Sequence, residues 1–307
     1  MSEQAKAATT GDAWTVLRLL TWTTDFFRQR GSDSPRLDAE VLLAHALDCS
    51  RIELYTAYSS EPGEAPRSRF RELVRRRGDG VPVAYLVGYR EFYSLRLQVT
   101  PAVLIPRPET EHVVILALDR AKEIAKQAAA GPLRIADVGT GSGAIAIAVA
   151  KHLDTVYPAG GQFTAIDLSA EALEVARANA TTHQVADRID FLQGDLLEPV
   201  AAEPTFQLVL SNPPYVSQAE YDDLPVTVRE HEPSSALLAG PDGTELISRL
   251  IDQAAPRLVD DGQLIIELSP MIADACGDLI AADDRFGSPS FTKDLAGHRR
   301  VLVASRR

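Results

Sequence analysis

The chain has 307 residues, 45% hydrophobic and 24% charged, enough apolar material to bury roughly 75% of the unfolded surface in one to three domains, which excludes a mainly disordered polypeptide. Its 31 Lys and Arg against 43 Asp and Glu give a net charge of -12, the wrong sign for a protein that coats nucleic acid through its phosphates. Two distant cysteines, Cys49 and Cys276, fit neither a disulfide framework nor a zinc spacing. Met1–Thr10 has no apolar core and no window reaches 18 apolar residues, so neither a signal peptide nor a membrane span is expected, and the expected location is cytoplasmic.

Residues 1–90 carry 13 Lys and Arg against 12 Asp and Glu, leaving 18 against 31 for residues 91–307. Two regions with different partners are therefore expected. Through about residue 80 the apolar positions recur at helical spacing, as Val16, Leu19, Leu20 and Phe27, then Leu37, Val41, Leu42 and Ala46. Asp38 and Glu40 favour the first turn of the second segment. Residues 1–80 thus read as a small helical bundle. Within it, Arg67 to Arg77 holds six arginines around Glu72, which suits either a solvated helix face or contact with an acidic patch on a partner. From Pro82 to Ile105 short aromatic and β-branched runs indicate a hairpin, and Pro101, Pro106 and Pro108 bar a helix across its end. Residues 81–108 accordingly read as a hairpin and proline-rich connector.

After residue 132, apolar runs of strand length alternate with helical stretches. The strands are Leu133–Val138, Phe163–Asp167, Ile189–Gln193, Phe206–Ser211, Leu264–Leu268 and Val301–Ala304, and the helices lie near Gly143–His152, Ala170–Thr181, Glu245–Leu258 and Met271–Ala282. Such alternation predicts an α/β domain over residues 109–307, with a mostly parallel sheet covered on both faces and ligands outside the carboxyl ends of its strands.

The first of these strands ends in Asp137-Val138-Gly139-Thr140-Gly141-Ser142-Gly143. Three alternate glycines let the main chain turn tightly and let a ligand approach it where the next helix begins. The same stretch meets the looser GxGxxG/A pattern through Gly139, Gly141 and Ala144, which keeps a dinucleotide open. Asp167 closes the next strand, where an acceptor can bind the two hydroxyls of an adenosine ribose in either case. Asp137, directly before the closely set Gly-x-Gly-x-Gly, makes the arrangement resemble the first motif of class I S-adenosylmethionine methyltransferases. That resemblance implies a Rossmann-like domain with a seven-stranded sheet and a loop facing the amino-acid end of the cofactor. It also implies Asp195 and Leu196 around the adenine ring, although Asp195 equally suits a turn acid that caps the next segment.

The fourth strand runs into Ser211-Asn212-Pro213-Pro214-Tyr215. Consecutive prolines stop a sheet ladder, remove two N–H donors and keep every carbonyl acceptor. The Asn212 side-chain oxygen and the Pro213 carbonyl can together accept both hydrogens of a planar NH₂ group, with Tyr215 packed on its flat face. The lone pair of such a nitrogen is delocalised, so acceptors on its N–H bonds raise its electron density and aim it at a methyl donor. Direct displacement then needs no metal and no covalent enzyme intermediate, and the six histidines show no ligand spacing.

Asn-Pro-Pro-Tyr also occurs in enzymes that methylate exocyclic amines of nucleic-acid bases, which leaves an adenine or guanine methyltransferase as the alternative. The run Val103-Leu104-Ile105-Pro106-Arg107-Pro108-Glu109-Thr110-Glu111 closely resembles the signature of the peptide chain release factor glutamine N5-methyltransferases, the PrmC/HemK family. The likeness continues in Gly80–Gly88, in Val228–Pro233 with Ala236-Leu237, and in Arg299-Arg300-Val301. It implies methylation of the glutamine side-chain amide in the Gly-Gly-Gln loop of class I release factors, with S-adenosyl-L-methionine as donor and S-adenosyl-L-homocysteine as product. Asn212, Pro213, Pro214 and Tyr215 would hold that glutamine, with Asn212, Pro213 and Tyr215 as the catalytic residues and Asn212 also near the cofactor; Asp137, Gly139 to Gly143, Asp167, Asp195 and Leu196 would surround the cofactor. Arg107 and Glu109 either line the site or pin the connector through an ion pair. A basic Gly-Gly-Gln domain would be attracted by the acidic catalytic half. No direct nucleic-acid or membrane partner and a monomeric state are expected. A dinucleotide-dependent oxidoreductase leaves the Asn-Pro-Pro-Tyr segment without a task, as does a noncatalytic cofactor-binding module.

Overall fold

A computed structural model describes residues 13–127 and 131–307; the Met1–Thr10 stretch, expected to hold no leader, lies outside them. The chain divides into two compact units, Met1–Val87 and Gly88–Arg307. In the first, Thr15 caps α1 (Val16–Gln29) by accepting the Arg18 amide at 3.3 Å, and Pro35 opens α2 (Pro35–Leu47), which ends on left-handed Asp48. The short α3 (Arg51–Thr56), α4 (Glu64–Gly78) and α5 (Val83–Val87) follow. The core takes Val16, Leu19, Leu20 and Phe27 as expected, but on α2 it takes Ala39, Leu42, Leu43 and Ala46 while Leu37 stays exposed.

The α2 face is turned by its acids. Glu40 is buried and accepts Arg36 Nε at 2.6 Å, Arg51 Nη2 at 3.0 Å and the Tyr55 hydroxyl at 2.7 Å. Burial alone would raise its pKa; the Tyr55, Arg36 and Arg51 hydrogen bonds outweigh burial and hold it below the ordinary value. The arginine run forms α4, and much of it is occupied within the unit. Arg67 pairs with Glu64 at 2.6 Å, Arg75 with Glu72 at 2.6 Å, Arg69 with Asp48 at 3.1 Å and Arg77 with Asp38 at 2.9 Å. Only the last of these pairs is largely buried on both sides.

In the second unit β1 (Tyr89–Phe92) and β2 (Leu95–Gln98) form an antiparallel hairpin. The hairpin is shorter than the span from Pro82 suggested, because residues 83–87 wind into α5. Next come α6 (Glu111–Lys126), β3 (Leu133–Val138), α7 (Ala144–Leu153), β4 (Gly161–Asp167), α8 (Ala170–Thr182), β5 (Ile189–Gln193) and β6 (Phe206–Ser211). The chain continues through β7 (Val216–Ser217), α9 (Gln218–Asp222), α10 (Val226–Arg229), β8 (Leu238–Gly240), α11 (Glu245–Ala254), β9 (Leu258–Glu267), α12 (Ala273–Ala281), β10 (Ser290–Lys293) and β11 (Arg299–Ser305).

Seven strands make one sheet in the order β5-β4-β3-β6-β9-β11-β10, parallel except that β11 runs antiparallel to both neighbours. The unit is thus a Rossmann-like α/β domain. Successive side chains of a strand face opposite sides. Ile135, Phe163, Leu208 and Ile265 pack under α6, α7 and the hairpin residues Phe92 and Leu97, whereas Ala136, Val138, Val209 and Ile266 pack with α11 and α12. Helix α7 is buried almost all round, which its Ala-Ile-Ala-Ile-Ala-Val-Ala composition permits.

Two boundaries and one whole helix differ from expectation. Helix α11 stops at Ala254: the Ala255 amide still bonds the Ile251 carbonyl, but Pro256 has no N–H to continue the ladder. Strand β9 begins at Leu258, since the polar Asp260–Gly262 stretch is absorbed in a register shift against β6. Helix α6 went unplaced although Val113, Val114, Ala117 and Ala121 stand at helical spacing and are all buried.

Both tryptophans, Trp14 and Trp22, lie in the first unit, so their fluorescence reports its unfolding separately. Arg77→Ala, which leaves buried Asp38 without its cation and held only by the Ser32 and Ser34 hydroxyls, is expected to lower that unit's stability in urea by about 2–4 kcal/mol. The exposed neighbour Arg76→Ala should stay within about 0.5 kcal/mol of the parent chain. Equal effects would show that the Arg77–Asp38 pair does not hold the bundle.

Candidate active site

Strands β3 and β6 are parallel neighbours, and the Ser211 hydroxyl donates to the Val138 carbonyl at 2.7 Å, so both strands end at the same sheet edge. From β3 the chain enters the glycine loop, whose Gly139 and Thr140 amides donate to the Ile166 carbonyl at 2.8 and 3.0 Å. Gly143 has φ +82°, and a Cβ there would stand 2.7 Å from Ile147 Cδ1 and 3.3 Å from Ala176 Cβ. Only glycine meets both demands, so α7 can start tight against α8.

Asp137 fastens this loop from below. Its Oδ2 accepts the Thr140 hydroxyl at 2.7 Å and the Ala146 amide at 3.0 Å, while Oδ1 has no hydrogen-bond partner among the described residues. Burial is the main cause that pushes its pKa up to about 6; the Thr140 and Ala146 hydrogen bonds oppose that rise and the charge of Asp167 adds to it. Asp167, at the end of β4, accepts the Gly141 amide on Oδ2 at 2.8 Å and the Ser169 amide on Oδ1 at 2.9 Å. Burial raises its pKa, against the pull of the Ser169, Gly141 and Leu168 amides. Each carboxylate oxygen retains acceptor capacity for one further donor.

Asn179 on α8 gave no signal beyond a polar residue on a helix face that otherwise buries Ala172, Leu173, Ala176 and Ala180. Its Nδ2 donates to the Ser142 carbonyl at 2.8 Å and the Gln98 carbonyl at 3.0 Å, and its Oδ1 accepts the Gln98 amide at 2.7 Å. One buried amide therefore ties the hairpin to the glycine loop.

A cavity of about 230 Å³ lies over this edge. Of the residues expected to bind ligands, Gly139, Thr140, Gly141, Ser142, Asp167, Asp195, Leu196, Asn212 and Pro214 line it. Asp137, Gly143, Pro213 and Tyr215 do not: Asp137 is wholly buried, Gly143 starts α7, and Pro213 is buried. Asp195 is paired with Arg249 at 2.7 Å. Leu196 holds a left-handed backbone, φ +51°, beside it. Sequence reasoning assigned no role to Thr110, Ser169, Pro233 or Ser235, which also line the cavity, although Thr110 and Pro233 lie in the motifs singled out.

Arg107 proves to pin the connector. Its Nη2 stands 2.5 Å from Glu232 Oε1, and Glu232, buried, also accepts the Ile105 amide at 3.1 Å. The partner of Arg107 thus comes from the second motif, 125 residues later, and not from Glu109. Tyr215 directs its hydroxyl at Glu267 Oε1, 3.5 Å away. Burial chiefly, with the charge of Glu267, pushes the Tyr215 pKa up. Glu267 is itself buried, and burial is the main cause that lifts it to about 7; Thr110, Arg300 and Tyr215 lower it and Glu109 raises it. Asn212 Nδ2 donates to Thr110 Oγ1 at 3.0 Å.

An acid whose folded pKa is raised stabilises the fold fully only below its unfolded value and loses that contribution as pH rises through the folded value. For Asp137 the window runs from about 4 to about 6. Asp137→Asn, which stays neutral, should therefore gain urea resistance relative to the parent between pH 4.5 and pH 7. A difference between the two proteins that is independent of pH would contradict the raised pKa.

Residues 18–88 match the family model of the PrmC N-terminal domain, and residues 121–229 match that of the methyltransferase small domain. The chain is 54% identical over 297 residues to the release factor glutamine methyltransferase of Rhodopirellula baltica, covering 96% of this chain and 98% of that one. It is 34% identical to the release factor glutamine methyltransferase of Bacillus subtilis, covering 94% and 97%. Among solved structures, the hMettl16 catalytic domain in complex with MAT2A 3'UTR hairpin 6 superimposes with a TM-score of 0.52 at 15% identity, over 76% of this chain and 81% of that one, a likeness of fold. With more than half of the residues shared from one end to the other of a single relative, the chain belongs to the release factor glutamine methyltransferase family.

Proposed function

We propose that this protein transfers a methyl group from S-adenosyl-L-methionine to the side-chain amide nitrogen of the glutamine in the Gly-Gly-Gln loop of class I peptide chain release factors. The observation that carries this reading is that Asn212 lines the same cavity as the glycine loop and Asp167. An amide acceptor and a nucleoside-binding edge are thereby set side by side. The residues fit the cofactor: Gly139 and Gly141 line the cavity without side chains, with open space where a Gly141 Cβ would stand, and Asp167 has one free acceptor position on each oxygen for a pair of vicinal hydroxyls. When bound, the cofactor supplies an electrophilic methyl on a sulfonium.

The chain's own residues bind, aim and exclude water. Asn212 Oδ1 and the Pro213 carbonyl accept the two N–H bonds of the glutamine carboxamide, which raises electron density on nitrogen and fixes its direction. Proton loss can follow methyl transfer, so no strong base has to stand at the nitrogen. Ideal alignment is worth of order 7–11 kcal/mol of barrier. Tyr215, kept neutral by burial, supports this end of the site through its contact with Glu267. Such a reaction belongs with the translation machinery in the cytoplasm and needs only one copy of the chain. Among the described residues no helix is long and apolar enough to cross a membrane.

The test is transfer of labelled methyl from S-adenosyl-L-methionine to a purified release factor and to its Gln→Ala loop variant. Only the former should take label, and equal labelling would refute the target. Asn212→Ala should retain the fold and cofactor affinity while turnover falls about 100- to 1000-fold, by analogy with deleting one aligned polar group from an active site. With 31 acids against 18 Lys and Arg over residues 91–307, kcat/KM for a basic Gly-Gly-Gln domain should fall as salt is raised from about 50 to 300 mM. A rate indifferent to salt would remove electrostatic capture from the account.

A further inference from the structure

Helix α11 brings Leu246 to the cavity wall and turns Ile247, Leu250, Ile251 and Ala254 into the core. Beside that buried face Arg249 and Gln253 stand four residues apart and so share one side of the helix. Arg257 follows four positions later, directly before β9. All three reach the same segment, the turn after β5. Arg249 Nη2 donates to Asp195 Oδ2 at 2.7 Å and stands 3.6 Å from Glu198 Oε1. Gln253 Oε1 accepts the Leu197 amide at 2.8 Å. Arg257, buried, closes the end of the turn with Nε and Nη2 on the Val200 carbonyl at 3.0 and 2.8 Å. No step of the reaction described above uses any of them.

The turn needs such fastening. Leu196 holds φ +51°, a left-handed conformation that costs a residue with a Cβ, and it stands between the two residues that Arg249 and Gln253 grip. A main-chain amide can only donate, so the Leu197 N–H fixes which end of the Gln253 amide faces it. Gly194, Asp195 and Leu196 line the cavity, and the Gly194 amide donates to the Asp167 carbonyl at 3.0 Å. A nucleoside whose ribose rests on the Asp167 carboxylate therefore carries its base toward this turn. The Arg249 bond occupies Asp195 Oδ2 and leaves Oδ1 without a protein partner among the described residues. An ion pair this exposed, 45% and 38% for its two side chains, adds little to stability. It does choose a direction for a carboxylate on the wall of a binding cavity.

We propose that Arg249 and Gln253 are positioning residues that set the turn after β5 as the base-reading wall of the cofactor pocket: Gln253 holds its backbone, and Arg249 aims the Asp195 carboxylate at an amino group on the base. The proposal rests on S-adenosyl-L-methionine as the cofactor and on Asp195 and Leu196 as the neighbours of its adenine. A carboxylate that is free to rotate must be ordered by the ligand at a cost in affinity, whereas one already held by an arginine meets the amino group without that cost. The gain falls only on a base that carries the donor, so the same contact that strengthens binding also separates an aminopurine from a purine without the group.

The experiment titrates the full chain and its Arg249→Ala, Arg249→Lys, Gln253→Leu, Gln253→Glu and Asp195→Ala variants by calorimetry. The ligands are S-adenosyl-L-homocysteine and the analogue with hydrogen in place of its 6-amino group. The parent chain should bind the amino compound more tightly. Arg249→Ala should weaken that compound about two- to tenfold, the scale of one side chain left for the ligand to order. It should leave the analogue within about twofold, so that the preference shrinks. Arg249→Lys keeps a cation near Asp195 and should recover part of the preference. Gln253→Leu removes the acceptor of the Leu197 amide and should weaken both compounds, the amino compound more; Gln253→Glu keeps a side-chain oxygen there and should restore them. A merely structural role would weaken the two compounds alike. Equal loss for both compounds, or no loss, in Arg249→Ala and Gln253→Leu, while Asp195→Ala abolishes the preference, would overturn the positioning role alone. A preference untouched by Asp195→Ala would overturn the placing of the base beneath it and this proposal with it.

Discussion

The parallel pairing of β3 with β6 is the constraint on which the rest of the site depends. Parallel neighbours must finish at the same edge of a sheet, and these two are locked there by the Ser211 hydroxyl on the Val138 carbonyl. One strand delivers a glycine loop and the other an asparagine followed by two prolines. A glycine turn and an acceptor-rich turn therefore become neighbours without any long-range search, and the β4 end adds Asp167 on the far side of the loop. A built Cβ on Gly139 would lie 4.0 Å from the Asn212 carbonyl oxygen, so the two turns are already at van der Waals distance.

Around that edge the chain uses buried polar side chains as fasteners. Asp137 holds the glycine loop to the start of α7, Asn179 holds it to the hairpin, and Glu232 holds Arg107 and the Ile105 amide. Each is a polar group removed from water, costly unless paired, and most are fully paired. Asp137 Oδ1 is an exception, as is Oε2 of nearby Glu267, each on a carboxyl whose pKa is raised mainly by burial. Both lie beside the cavity at this sheet edge, Asp137 under its glycine loop and Glu267 behind Tyr215. The first unit works by the same physics on a simpler scale: Glu40 and Asp38 are buried against arginines, and the arginine-rich α4 spends several of its charges inside its own bundle.

Much of the second unit was legible because its signals are local. Hydrophobic runs of strand length bounded by glycine and proline mark β3 to β6, three alternate glycines permit the positive-φ turn seen there, and two consecutive prolines impose their conformation through a fixed φ. Strand β10 escaped because an edge strand exposed to water has no apolar run to display, and its Ser290–Lys293 residues are at most half-buried. Asn179 escaped because a buried asparagine and an exposed one look identical in a helical pattern. The α2 face was misjudged for a related reason: hydropathy alone cannot foresee that Asp38 and Glu40 find arginines and go inside, leaving Leu37 out.

The order of residues along the chain determined the alternation of strands and helices, the turn chemistry at the ends of β3 and β6, and the acidic balance of the second unit, since each follows from neighbours within a few positions. Which distant side chains meet was decided only by the tertiary structure. Arg107 finds Glu232 across 125 positions, and Thr110 finds Asn212 across 102. Tyr215 turns its hydroxyl to Glu267 instead of lining the cavity. Hydrogen bonds and burial act over a few ångströms, and the distance between residues remote in the chain does not exist until the sheet has closed their strands onto one edge.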